Sequence, residues 1–161
     1  MELFLLRHGI PVDPDLWNDS DRTRPLTDEG VAQLIKISHA LRPHIRPDDI
    51  WSSPYLRTHQ TAQLISQTLG IQFSTIESLR SGSHLIQSIP KQQGHPSTWP
   101  ERLLLVGHQP DLGGLAAELS GTLSLFHFDR AGMACLRGEF RPGGMKIEWL
   151  LSPDELLNKF S

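Results

Sequence analysis

Leu3-Phe4-Leu5-Leu6-Arg7-His8-Gly9 is the stretch that decides the fold of this chain. Four consecutive apolar residues read as a short strand buried on both faces, the pattern of a parallel sheet covered by helices. Within three residues the character changes to a guanidinium, an imidazole and a glycine. In α/β sheets the C-terminal edge of the strands is where ligands bind. A cation beside a nucleophile at that edge points to chemistry on an anion. Gly9 would allow a sharp turn or a close backbone approach to a ligand. A core strand followed by an ordinary charged turn would read the same in isolation, so the rest of the chain must decide.

Two other stretches repeat the pattern. Asp49-Ile50-Trp51-Ser52 is a second short strand. Ser53-Pro54 then predicts a helix start, with serine as N-cap and proline in the first helical position. That helix runs over 55–69, turns Leu56, Ala62, Ile65 and Leu69 inward, and stops at Gly70. Arg57 lies in its first turn, where the helix dipole disfavours a cation unless an anion sits at the same terminus. A solvated surface arginine is the alternative. Arg102-Leu103-Leu104-Leu105-Val106 is a third buried strand and ends, as the first does, in glycine and histidine, Gly107-His108.

Between these strands the chain supplies helices. Thr27 caps a helix carrying Val31, Leu34, Ile35, Ser38 and Leu41 at helical spacing. Residues 10–25, with three prolines and many charges, form a long polar loop that Trp17 should pin to the body. Residues 71–76 alternate as a strand does, 77–89 are ambiguous, with Leu79, Leu85, Ile86 and Ile89 allowing a short helix after Gly82, and 90–100 read as a surface linker. A helix through Leu112, Leu115 and Leu119 ends at Gly121. Leu123–Phe128 reads as a further strand. Met133–Phe140 and Met145–Leu151 form an antiparallel hairpin about Arg141-Pro142-Gly143-Gly144, and a short helix closes the chain over 153–160. The expected fold is α/β. It is one three-layer domain over 1–161, with a mostly parallel central sheet, helices on both faces and an antiparallel C-terminal hairpin.

The bulk properties narrow the function. A chain of 161 residues fits one domain of the usual ~100–200 residues. A formal charge of −3 argues against recognition of nucleic acid or an anionic membrane by overall field. No apolar run approaches the ~18 residues of a membrane span, and the expectation is a cytoplasmic protein. The single cysteine, Cys135, lies in an apolar run and reads as a buried filler. His39 and His44 are poorly spaced for a metal, and His84 and His95 fall in polar loops; no metal or cofactor is expected.

In a parallel sheet, Arg7 and His8, Arg57 and His108 arrive at the same edge. Two arginines and two histidines around one point suit a ligand with about two negative charges, which means a phosphoryl group, whose oxygens match the guanidinium fork. His8 is the best candidate nucleophile, since an imidazole with one nitrogen held and the other free attacks phosphorus near neutral pH. His108 would then stabilise charge on the equatorial oxygens.

Leu6-Arg7-His8-Gly9, Ser52-Ser53-Pro54-Tyr55-Leu56-Arg57-Thr58-His59-Gln60-Thr61-Ala62 and Val106-Gly107-His108 resemble, in order, the three signatures of the histidine phosphatase (phosphoglycerate mutase-like) superfamily. Arg24-Pro25-Leu26-Thr27 with Gly30 resembles the link into its first helix. The resemblance implies a phosphohistidine intermediate on His8, with Arg7, Arg57 and His108 completing the phosphate pocket and Arg24 as a further contact. Larger members insert a helical cap between the second and third signatures. Here that interval is too short for one, so the pattern is most similar to the short, SixA-like phosphohistidine phosphatase branch. Two acids are candidates for protonating the leaving group: Asp21, on the loop after the first strand, and Glu77.

An uncapped, open pocket favours a phosphorylated side chain on a protein surface over an enclosed metabolite. The expected activity is therefore metal-independent hydrolysis of phosphohistidine on a phosphorelay domain or phosphocarrier protein. The alternatives are a broad-specificity small-molecule phosphomonoesterase and a non-catalytic phosphate-binding module.

Overall fold

The computed structural model describes residues 1–89 and 99–161, so the 90–100 linker and His95 lie almost wholly outside the described residues. Its strands are β1 (Glu2–Arg7), β2 (Asp49–Ser52), β3 (Phe73–Thr75), β4 (Arg102–Gly107), β5 (Met133–Gly138) and β6 (Met145–Leu151). Its helices are α1 (Asp28–Leu41), α2 (Leu56–Leu69), a single turn α3 (Leu85–Ser88), α4 (Asp111–Ser120) and α5 (Pro153–Phe160). The six strands form one sheet in the order β3-β2-β4-β1-β5-β6. β3, β2, β4 and β1 are mutually parallel, while β5 runs antiparallel to both β1 and β6.

The continuous apolar runs are explained by burial on both faces. Leu3, Leu5, Leu103 and Leu105 point to one side, where they pack with Leu112, Leu115 and Leu119 of α4 and Leu85 of α3. Phe4, Leu6, Leu104 and Val106 point to the other, against Leu34 and Ile37 of α1, Ile65 of α2 and Leu156 of α5. Alternate residues of β1 and β4 thus serve two separate cores, so neither strand has a solvated face to encode. This is the expected three-layer α/β domain.

Register brings the strand ends into line. Leu6 of β1 and Ser52 of β2 both pair with Val106 of the intervening β4, and Arg7 pairs with Gly107. One step further, the His8 amide donates to the Gly107 carbonyl and the Ser53 amide to the Val106 carbonyl. Side chains from three distant segments therefore leave the sheet at the same height.

Local departures from the sequence reading have identifiable causes. α2 begins at Leu56, with Tyr55 and not Ser53 as N-cap, and the Ser53 hydroxyl lies 2.7 Å from His108 Nε2. The expected strand over 123–128 does not form. Its carbonyls go to side chains instead: Gln109 Nε2 donates to Phe126 O at 2.9 Å, and Arg7 donates to Phe128 O at 2.6 Å. The strand expected over 71–76 is confined to Phe73–Thr75, and β5 stops at Gly138, whose φ of 142° diverts the chain. Gly9 does not adopt a left-handed backbone. A Cβ there would meet Leu34 Cδ1 at 2.6 Å, so the glycine lets β1 run closely past α1. Gly30 has the same role from the opposite side, since its Cβ would meet the Ile10 carbonyl at 2.5 Å. No helix among the described residues is long and apolar enough to cross a membrane.

Candidate active site

His8 is fixed through its backbone and through one ring nitrogen. Its backbone is tied by the Gly107 carbonyl on β4 and by the Ala131 amide, which donates to the His8 carbonyl at 3.0 Å. Its Nδ1 lies 2.8 Å from the Gly9 carbonyl. A carbonyl only accepts, so the proton of the neutral ring is on Nδ1 and the lone pair is on Nε2. The Gly9 amide in turn donates to Thr61 Oγ1, which anchors the tripeptide to α2.

His108 continues β4 and is 2 % exposed. The two imidazole centroids are 5.4 Å apart. His108 Nε2 is 2.7 Å from Ser53 Oγ, and the edge of the Tyr55 ring lies against it with centroids 4.8 Å apart. Arg57 projects from the first turn of α2, is buried, and sits with its guanidinium carbon 4.9 Å from the Tyr55 ring centroid. Arg7 is fixed by the Phe128 carbonyl. The sequence candidates Arg7, His8, Arg57 and His108 are thus brought together at one sheet edge. Three nitrogens of the cluster, Arg7 Nε, Arg57 Nε and His108 Nδ1, are buried without a hydrogen-bond partner among the described residues. Buried polar groups are normally satisfied; an unusual concentration of cationic and donor nitrogens here fits an anion as the missing partner.

The loop after His8 supplies one of the two candidate acids, Asp21. It folds into two 3₁₀ turns, Pro14–Leu16 and Asp21–Thr23. Trp17 holds the loop to itself, its Nε1 donating to the Ser20 carbonyl. Asp21 reaches the cluster: its Oδ2 accepts from Arg57 Nη2 at 3.0 Å and its backbone carbonyl accepts from Arg57 Nη1 at 2.8 Å. Its Oδ1 accepts from Arg24, whose guanidinium also donates to the Val12 carbonyl. Glu77 instead makes a two-pronged ion pair with Arg22 at 3.2 and 3.0 Å on the exposed side of the loop. Arg24 therefore braces the loop through Asp21. Ser53 is the site residue that sequence reading misassigned, as a helix cap; the signal available was its position at the end of β2, in line with His108.

Electrostatics sets the protonation states. Burial, followed by the neighbouring positive groups, pushes the pKa of His8 down to about 3 against the opposing bond to Gly9. Burial and then Arg57 push His108 down to about 3 as well. Both imidazoles are neutral near pH 7. Partial burial works upward on Asp21, but the bonds from Arg24 and Arg57 hold its carboxyl below the usual carboxylate range.

A sequence model of the histidine phosphatase superfamily (branch 1) matches residues 3–84. The chain belongs to the histidine phosphatase superfamily. An uncharacterised protein of Picosynechococcus is 32% identical over 142 residues, covering 85% of each chain. A phosphohistidine phosphatase SixA homolog of Haemophilus influenzae is 27% identical over 146 residues, covering 84% of this chain and 87% of that one. Among solved structures, the protein histidine phosphatase SixA complexed with tungstate has a TM-score of 0.78 at 23% identity, covering 97% of this chain and 99% of that chain. The α-ribazole phosphatase of Shigella flexneri has a TM-score of 0.69 at 21% identity, with 95% and 97% covered. The fold is SixA-like and carries no helical cap between α2 and β4 among the described residues: β3, a 3₁₀ turn at Glu77–Leu79 and α3 occupy that interval.

The two depressed histidines make a prediction about this histidine phosphatase domain. Between the ordinary pKa of about 6.5 and the folded value of about 3, the unfolded chain binds protons that the folded chain does not. Their contribution to stability is intact above about pH 6.5 and is lost as pH falls towards 3. Differential scanning calorimetry should show Tm falling over this window. The fall should be shallower in His8→Asn, which removes one of the two titrating rings; an unchanged slope would contradict the buried, neutral assignment.

Proposed function

We propose that this chain is a phosphatase that removes the phosphoryl group from histidine on a partner protein, with His8 as the nucleophile. One observation carries the reading. The Gly9 carbonyl fixes the His8 proton on Nδ1, and this leaves a neutral Nε2 lone pair beside Arg7, Arg57 and His108. His8 Nε2 attacks phosphorus as the substrate P–N bond breaks, and the bond electrons leave with the substrate imidazole. The phosphorylated His8 ring is then cationic, and its Nδ1–H bond to the Gly9 carbonyl strengthens as that charge develops. Water attacks phosphorus in the second step, the Nε2–P bond breaks, and the proton released by water goes to the phosphate produced. Arg7, Arg57 and the His108 ring stabilise the equatorial oxygens in both steps.

The leaving group decides how much acid catalysis is needed. A phosphohistidine whose other ring nitrogen is protonated departs as neutral imidazole and needs little help. Asp21 is ionised and shared between two arginines, which suits holding Arg57 in place more than donating a proton. Glu77 is ion-paired to Arg22. With both candidate acids ion-paired to arginines, the site is matched to a phosphoramidate. The absence of a helical cap among the described residues and the SixA homolog among its relatives support a protein as the carrier, of the phosphorelay-domain or phosphocarrier kind.

The shared fold of the α-ribazole phosphatase favours a second reading, a small-molecule phosphomonoesterase. Measuring kcat/KM on a phosphohistidine protein and on a panel of sugar and nucleotide phosphates separates them. The expected result is a preference of about 100-fold or more for the phosphohistidine protein, equivalent to about 2.7 kcal/mol of differential transition-state binding. A preference for the metabolites would overturn the first reading.

A further inference from the structure

Ser53 is buried completely and belongs to no helix or strand, yet its backbone is fixed at three points. Its amide donates to the Val106 carbonyl at 3.0 Å, and its carbonyl accepts from Ser52 Oγ at 3.0 Å and Thr58 Oγ1 at 2.9 Å. This rigid mount holds Oγ 2.7 Å from His108 Nε2. The second contact of Oγ is the Tyr55 amide, at 3.4 Å, and an amide only donates.

Two proton arrangements are compatible with the 2.7 Å contact. If His108 carried its proton on Nε2 and donated to Ser53, the serine hydroxyl hydrogen would be left without an acceptor in a fully buried place. The His108 Nδ1 lone pair, also buried and unpartnered, would then lie in a cluster that binds an anion, where it would repel phosphoryl oxygens. If Ser53 instead accepts from the Tyr55 amide and donates to His108 Nε2, every Ser53 group is used. His108 then carries its proton on Nδ1 and becomes a neutral hydrogen-bond donor. The first arrangement leaves both the Ser53 hydroxyl hydrogen and the His108 Nδ1 lone pair without partners among the described residues, whereas the second leaves only the Nδ1–H, which a phosphoryl oxygen would accept, so the second is favoured.

We propose that Ser53 is a positioning residue that sets the tautomer of His108, so that this ring presents Nδ1–H as a neutral donor to the phosphoryl group. The two histidines are then both protonated on Nδ1, but for opposite uses. The Gly9 carbonyl binds the Nδ1–H of His8 and frees its Nε2 to attack, while the Ser53 hydroxyl occupies Nε2 of His108 and leaves its Nδ1–H to donate. A neutral donor also suits a site that already contains two guanidinium groups, since a third cation there would raise the cost of the empty pocket.

The role of His108 towards phosphate rests on the function proposed above; the tautomer does not. Long-range ¹H–¹⁵N spectra of ¹⁵N-histidine-labelled protein near pH 7 read the tautomer directly. The expected wild-type result is His108 protonated on Nδ1, with that resonance shifted by inorganic phosphate. Protonation on Nε2 overturns the proposal whatever the enzyme's substrate. In Ser53→Ala the Nδ1–H preference should be lost, with kcat on a phosphohistidine protein falling about tenfold or more and KM little changed. Ser53→Thr, which keeps the hydroxyl, should restore the wild-type tautomer. A Ser53→Ala protein that retains the Nδ1–H form overturns the assignment to Ser53. If the wild-type tautomer is as expected but no phosphohistidine is hydrolysed, the failure lies with the proposed function and not with Ser53.

Discussion

His8→Ala is expected to lower kcat on a phosphohistidine protein by a factor on the order of 10⁴ or more, into the background of the assay. Removing the nucleophile of a covalent mechanism eliminates the path and does not merely weaken it. The arginines and His108 would still bind a phosphoryl group, so KM for whatever residual activity remains should change far less than kcat. The same variant should lose a covalent label. Wild-type enzyme quenched during turnover of ³²P-phosphohistidine protein should carry acid-labile, base-stable radioactivity, as a phosphoramidate does, and His8→Ala should carry none. The fold should survive the substitution. Among the described residues the ring makes one hydrogen bond, to the Gly9 carbonyl, while the β1 register is set by backbone pairing on both sides. Unchanged turnover and labelling in a folded variant would exclude His8 as nucleophile. A labelled enzyme without turnover would place the phosphoryl group on another residue. Loss of both, with phosphate affinity retained, is also what separates an enzyme from a non-catalytic phosphate-binding module.

How much of this was legible in the sequence differs between strands, helix starts and loops. β1 and β4 were readable because burial on two faces requires unbroken apolar runs, Leu3–Leu6 and Leu103–Val106, that few other contexts demand. The convergence of Arg7, His8, Arg57 and His108 followed from one topological rule: parallel strands put their C-terminal ends side by side. What the sequence could not show was the competition for individual hydrogen-bonding groups. Ser53-Pro54 has the composition of a helix cap, but the serine hydroxyl is taken by His108, a partner 55 positions away, and α2 starts later. Residues 123–128 have the composition of a strand, but two of their carbonyls are claimed by Gln109 and Arg7. The acids show the same limit. The letters favour Asp21 only slightly over Glu77; the fold is what shows Asp21 bound to Arg57 and Glu77 bound to Arg22. At Gly9 the sequence allowed a sharp turn or a close approach to a ligand; the contact it could not show is the Leu34 side chain, which an added Cβ would meet.

Arg57→Lys is the second substitution expected to have a large effect, although it preserves the charge. The guanidinium is planar and has five donors, and the structure uses that shape. Nη1 binds the Asp21 carbonyl, Nη2 binds the Asp21 carboxylate, and the guanidinium carbon rests near the Tyr55 ring, while Nε remains buried and unpartnered. A lysine ammonium is a single point donor. It can satisfy Asp21 or approach the phosphoryl oxygens, but it cannot hold the fork that does both. The expected loss in kcat/KM is about 10²–10³-fold, in the range found for removing one preorganised donor from a transition-state oxygen. Asp21→Asn tests the other half of the pair. If Asp21 orients Arg57, the amide variant should lose only about tenfold. The backbone carbonyl still binds Nη1, the amide oxygen still accepts from Nη2, and the loss should be the same for good and poor leaving groups. If Asp21 were instead the proton donor, the loss would grow steeply as the leaving group became more basic, from phosphohistidine to alkyl phosphate. Comparing the two variants across such a series therefore assigns the carboxylate by the slope of its effect. A flat series for Asp21→Asn, beside a uniformly deep loss for Arg57→Lys, is the outcome that the geometry around Arg57 requires.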